Sequence, residues 1–120
     1  MIEPLSGLPD GVIAFEAVGK VYSSDYQKVL GPAVDRAAKS GAVRLVYVLG
    51  DRFEGYSAGA GLADFKLGVS HFSAWKRLAV VTDSKAIRDG VAAFGWLIPG
   101  ELRHFPMAER DAAIDWAAGG

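Results

Sequence analysis

Cysteine is absent from the 120 residues, which removes disulfide bonds, thiol nucleophiles and thiolate metal ligands together. Histidine is almost as scarce, with only His71 and His104 present. Neither has a carboxylate at ligand spacing, so no metal centre and no cofactor are expected. Long apolar runs are missing too. Stretches such as Leu45 to Leu49 and Leu78 to Val81 fall far short of the ~20 residues that cross a bilayer, so no integral membrane segment is expected. Met1 to Asp10 shows no basic start followed by an apolar core of about 7 to 15 residues, so no secretory leader is expected and the cytoplasm is the default. Strong charge of either sign is likewise lacking. Thirteen Lys and Arg against fourteen Asp and Glu leave a net charge of -1, too little to steer nucleic acid or an anionic membrane.

What is present forms a core. Hydrophobic residues make up 51% and charged residues 22% of the chain, a balance that suits one folded domain over residues 1–120. Residues 2–8 read as a short edge strand weakened by Pro4 and Gly7, and Pro9-Asp10-Gly11 as a tight turn. Val12 to Gly19 reads as a strand covered on both faces, with Ile13, Phe15 and Ala17 on one side and Glu16 on the other. Ser23 or Ser24 is suited to cap a helix whose stripe is Tyr26, Val29 and Leu30, continued by Val34, Ala37 and Ala38. Gly31-Pro32 predicts a kink or break within it, and Gly41 suits its left-handed closing position.

Val43 to Leu49 is β-branched-rich and reads as an interior strand. Residues 50–57 read as a polar, aromatic loop, followed by a second helix over about 58–74 with Leu62, Phe65, Val69 and Phe72 along one face. Leu78 to Thr82 forms a further strand, and Asp83 or Ser84 caps a helix facing inward through Ile87, Val91 and Phe94. Leu102 to Phe105 is the last strand, and the final helix presents Ala112, Ala113 and Trp116. The first two strands pair antiparallel across the tight turn, whereas helical crossovers make the later ones parallel. The expected class is α/β, a small mixed sheet of four to five strands with four helices.

The segment His71-Phe72-Ser73-Ala74-Trp75-Lys76-Arg77-Leu78-Ala79-Val80-Val81-Thr82-Asp83 resembles the helix-to-strand junction of the SpoIIAA-like family. That family is a branch of the STAS-type fold often grouped with CRAL-TRIO-like lipid-binding domains. Gly19 with Ser24-Asp25-Tyr26 and Pro32 is similar to its first crossover, and Leu102-Arg103-His104-Phe105 with Ala113-Ile114-Asp115-Trp116 to its ending. The resemblance implies the fold along nearly the whole chain and no particular activity. STAS proteins that regulate sigma factors carry a phosphorylatable serine at the start of the second crossover helix. The matching stretch here, Gly50 to Ser57, offers Ser57 as the nearest hydroxyl without the small neighbours of that motif.

In open α/β sheets ligands bind beyond the carboxyl ends of the strands. The rule selects residues 19–24, 50–57 and 82–85, which carry the cations Lys20, Arg52 and Lys85 and the aromatic rings of Tyr22, Phe53 and Tyr56. An amphiphile with an anionic head suits that edge. The candidate binding residues are Arg52, Phe53, Tyr56, Ser57, Leu62 and Phe65. The reading that follows is a non-catalytic module for a protein partner or an apolar, lipid-like ligand. A phosphoregulated switch at Ser57 is the alternative. An esterase comes third, because Gly55-Tyr56-Ser57-Ala58-Gly59 satisfies the residue count of a nucleophile elbow but reads as lacking a strand directly before the serine. A small sheet with an open edge also suits a homodimer.

Overall fold

The computed structural model describes residues 1–57, 59, 74–94 and 100–119. Among the described residues, seven strands form two sheets. The main sheet has the order β1 (Ile2–Pro4), β2 (Val12–Ala17), β4 (Val43–Val48), β6 (Trp75–Val81) and β7 (Glu101–Phe105). β1 runs antiparallel to β2, as the Pro9-Asp10-Gly11 turn predicts, and all later neighbours are parallel. The second sheet pairs β3 (Gly19–Val21) with β5 (Phe53–Tyr56) in parallel.

Side chains alternate across the pleat, so each interior strand feeds two cores. Phe15, Ala17, Leu45, Tyr47 and Val80 are buried on one face, against the first crossover helices; Val12, Ala14, Val46, Val48, Ala79 and Val81 are buried on the other, against the final helix. The uninterrupted apolar reading of Val43 to Leu49 follows from this double coverage.

The first crossover begins with α1 (Ser23–Asp25), widens into a π-helical turn (Tyr26–Leu30) and continues as α2 (Gly31–Lys39). Its cap is neither Ser23 nor Ser24. Tyr22 occupies that position, and the carboxylate of Asp25, three residues on, accepts the Tyr22 N–H at 2.8 Å. The break expected at Gly31-Pro32 is replaced by the wide turn just before it. Pro32 has no N–H for the carbonyl four residues back, and the π turn instead places the Gly31 N–H on the Tyr26 carbonyl. A Cβ at Gly31 would stand 2.6 Å from that oxygen, so the turn needs glycine.

Ser84 caps α3 (Lys85–Phe94), its Oγ accepting the Ile87 N–H at 3.4 Å. Asp83 serves another end: its carboxylate accepts the Met107 N–H at 3.0 Å, at the start of a 3-10 turn (Met107–Glu109) leading into α4 (Arg110–Ala117). In α4 it is Ala113 and Ala117 that are fully buried, with Trp116 half-buried, whereas Ala112 faces solvent. Arg44 donates to the Ala117 carbonyl and Arg77 to that of Trp116, satisfying the carbonyl end of α4 with positive charge. The body of the helix expected over 58–74, with Leu62, Phe65, Val69 and Phe72, lies outside the described residues, as do His71 and Trp96. Among the described residues no helix is long and apolar enough to cross a membrane.

Candidate functional site

Past their carboxyl ends, β2 and β4 leave the main sheet together. Gly19 donates its N–H to the Arg52 carbonyl, and the Ser57 N–H reaches the Val21 carbonyl at 2.8 Å, so the two continuations zip into the β3–β5 ribbon. Residues 19–21 and 53–56 are therefore strands, where the sequence reads as loops. The register slips at Gly19/Lys20, so that Lys20 pairs with Gly55 and Glu54 is the extra residue. Gly55 takes a positive φ of 110°, which a side chain would resist.

The divergence of this ribbon from β6 and β7 opens a cleft of about 430 Å³ at the strand ends. Leu49, Phe53, Ile87 and Met107 supply apolar walls, and Asp51, Glu54, Asp83 and Ser84 the polar ones. Thr82, fully buried beside it, ties three strands into one rim. Its Oγ1 donates to the Leu49 carbonyl at 2.7 Å and accepts the Ser84 N–H at 3.1 Å, while its own N–H donates to the Phe105 carbonyl at 2.9 Å.

The expected cations do not line this cleft. Lys20 sits 5.8 Å from the centre of the Tyr22 ring and Lys85 pairs with Asp89 at 3.1 Å. Arg52 is held by Glu16, through Nη2 at 2.9 Å and Nε at 3.3 Å, with Glu3 at 3.5 Å. The cause lies in the register. Glu3 stands directly opposite Glu16 across the antiparallel pair, an arrangement of like charges that disfavours pairing until a cation bridges it. The hydrogen bond that Arg52 donates to Glu16, then the charge of that carboxylate, raises the Arg52 guanidinium above its ordinary pKa. Arg52 is thus a strand clamp, and among the described residues the anionic head suggested by the sequence meets three carboxylates and no cation on the cleft wall.

Replacing Arg52 with methionine is expected to destabilise the fold, because Glu3 and Glu16 then face each other with no cation between them. Adding Glu3→Gln to Arg52→Met removes that repulsion, so the double variant is expected to unfold at a higher denaturant midpoint than Arg52→Met alone. A double variant no more stable than Arg52→Met would refute this role.

Of the other residues selected from the sequence, Phe53 lines the cleft. Tyr56 meets Phe53 edge-on at 5.0 Å and stacks on Tyr26 at 6.5 Å, while remaining 38% exposed. Tyr26 in turn approaches Tyr47, hydroxyl to hydroxyl at 3.1 Å, in a buried pair. Ser57 is half-buried at the end of β5. Leu62 and Phe65 lie outside the described residues. Ile87 reads from the sequence as core and Met107 is not singled out there, yet both line the cleft, with the 107–109 turn held by the bond from the Met107 N–H to Asp83.

The strand thought to be missing before Ser57 is present, since β5 ends at Tyr56 and residue 59 is helical. An elbow nevertheless requires a strained serine, and no described non-glycine residue has positive φ. His104 lies on β7, where its Nε2 donates to the Thr82 carbonyl at 2.8 Å. Among the described residues no group of three or more His, Asp or Glu could hold a metal ion.

A family model described as SpoIIAA-like matches residues 12–118 of the chain. The fold is similar to the crystal structure of an uncharacterized DUF3478-family protein with a SpoIIAA-like fold from Shewanella loihica. The two share 25% identity with a TM-score of 0.78, over 98% of this chain and 92% of that one. No curated protein matches the chain.

Proposed function

The chain belongs to the SpoIIAA-like family, and from that premise we propose that it is a cytoplasmic, non-catalytic binding module whose ligand enters the strand-end cleft. The observation that carries this reading is the cleft itself. Its volume of about 430 Å³ falls in the range of small-molecule sites, and it joins apolar walls to a few polar groups. The groups that would recognise a ligand are Phe53, Ile87 and Met107 for its apolar body, and Asp51, Glu54 and Asp83 for its polar end. That charge favours an apolar chain with a cationic or hydrogen-bond-donating head, or an equivalent side chain of a protein partner. Tyr56, exposed beside the mouth, offers a partner an aromatic anchor.

Two decyl probes of equal length, one ending in trimethylammonium and one in carboxylate, test this reading by titration calorimetry. The ammonium probe is expected to bind more tightly, and Gly50→Met is expected to weaken it. A Cβ at Gly50 points at Met107, 2.5 Å from its Cε, so the longer side chain occupies the cleft. Failure of both probes to bind would overturn the ligand reading, and indifference to Gly50→Met would move the site elsewhere.

A further inference from the structure

The two edges of the main sheet are built differently. β1 is three residues long and ends in Pro4, which has no N–H to offer another strand. β7 runs five residues without proline or lysine and, among the described residues, has a neighbouring strand on one side only. The Phe105 carbonyl accepts the Thr82 N–H, so Phe105 faces β6. Alternation then turns the N–H and C=O groups of Leu102 and His104 toward the outer edge.

We propose that β7 pairs antiparallel with β7 of a second copy of this chain about a two-fold axis, Leu102 opposite Leu102, fusing the two main sheets. Charge selects this register. It places Glu101 of one subunit opposite Arg103 of the other, twice by symmetry, as a non-hydrogen-bonded pair where side chains come closest. Arg77 engages Oε2 of Glu101 at 3.0 Å, which leaves Oε1 for the arginine across the axis. Arg103, over the Phe105 ring at 4.7 Å, is exposed, and in this register it stands directly across the axis from that carboxylate.

The neighbouring registers that keep the outward groups paired fail for stated reasons. With Leu102 opposite His104, Arg103 faces Arg103 and Gly100 faces Pro106, which has no N–H to donate. With His104 opposite His104, Leu102 faces Pro106 instead. With Gly100 opposite Leu102, Glu101 faces Glu101.

Sedimentation equilibrium over a concentration series tests the proposal. The wild type is expected to dimerise, Arg103→Lys to retain the dimer, and Arg103→Glu to weaken it by about tenfold or more, since two attractive pairs become repulsive. Position 103 is exposed, and a wild-type circular dichroism spectrum for Arg103→Glu will confirm that the fold survives. A wild type that stays monomeric throughout the series, or a dimer equally indifferent or equally sensitive to both substitutions, would overturn the proposal.

Discussion

Replacing Gly100 with alanine is expected to lower the stability of the protein by about 3 kcal/mol, or about 10–15 °C in melting temperature. The cause is a backbone contact with no room to yield. A Cβ at this position would stand 2.5 Å from the Trp75 carbonyl oxygen and 2.6 Å from that of Lys76. Both oxygens belong to the first residues of β6, where Gly100 passes just before Glu101 aligns with Arg77. Relieving the clash means pulling β7 away from β6, and the ladder, the Thr82–Phe105 hydrogen bond and the packing of Phe105 on Trp116 all depend on that distance. Gly90 provides the contrast. It lies within α3 with nothing within 4 Å of its would-be Cβ, so Gly90→Ala should stabilise by ~0.5–1 kcal/mol through helix propensity and reduced unfolded-state entropy. Denaturant unfolding of both variants reads the two signs directly. A Gly100→Ala midpoint equal to wild type would show that the backbone relaxes without cost.

Thr82→Val should cost about 2–3 kcal/mol, although the two side chains have nearly the same shape. The hydroxyl makes two bonds in a fully buried place, one to the Leu49 carbonyl and one from the Ser84 N–H. A methyl group leaves both partners without that contact. The expected consequence is also local. Leu49 and Ser84 both line the cleft, so the variant should show faster amide exchange for residues 49–55 and 83–87 than wild type at matched stability. Loss spread evenly over the sheet, with no excess at those residues, would contradict the role of Thr82 in tying the rim together.

The interior of this fold was legible in the sequence for a simple reason. β2, β4 and β6 are covered on both faces, so their apolar runs show the burial directly, and the tight turn before Val12 fixes the sense of the first pair. β3 and β5 were hidden. They are three and four residues long, and β5 alternates half-buried Phe53 and Gly55 with exposed Glu54 and Tyr56, a pattern too short and too glycine-rich to separate from a loop. The position of the cleft followed from the rule that open sheets bind at their strand ends. Its charge did not. Arg52 reads as a free cation until the register of β1 on β2 sets two glutamates face to face beside it. The wall made by Ile87 and Met107 depends on a hydrogen bond between Asp83 and residue 107, a long-range pairing that no local pattern records.

The β3–β5 ribbon has one more implication. Because the ribbon is held by paired backbone, exposed Glu54 projects from a scaffold that does not depend on its side chain, whereas Tyr56 is tied into the ribbon by its packing on Phe53 and Tyr26. Such a frame lets a side chain like Glu54 be exchanged, and the charge at the cleft wall with it, while the architecture beneath stays constant.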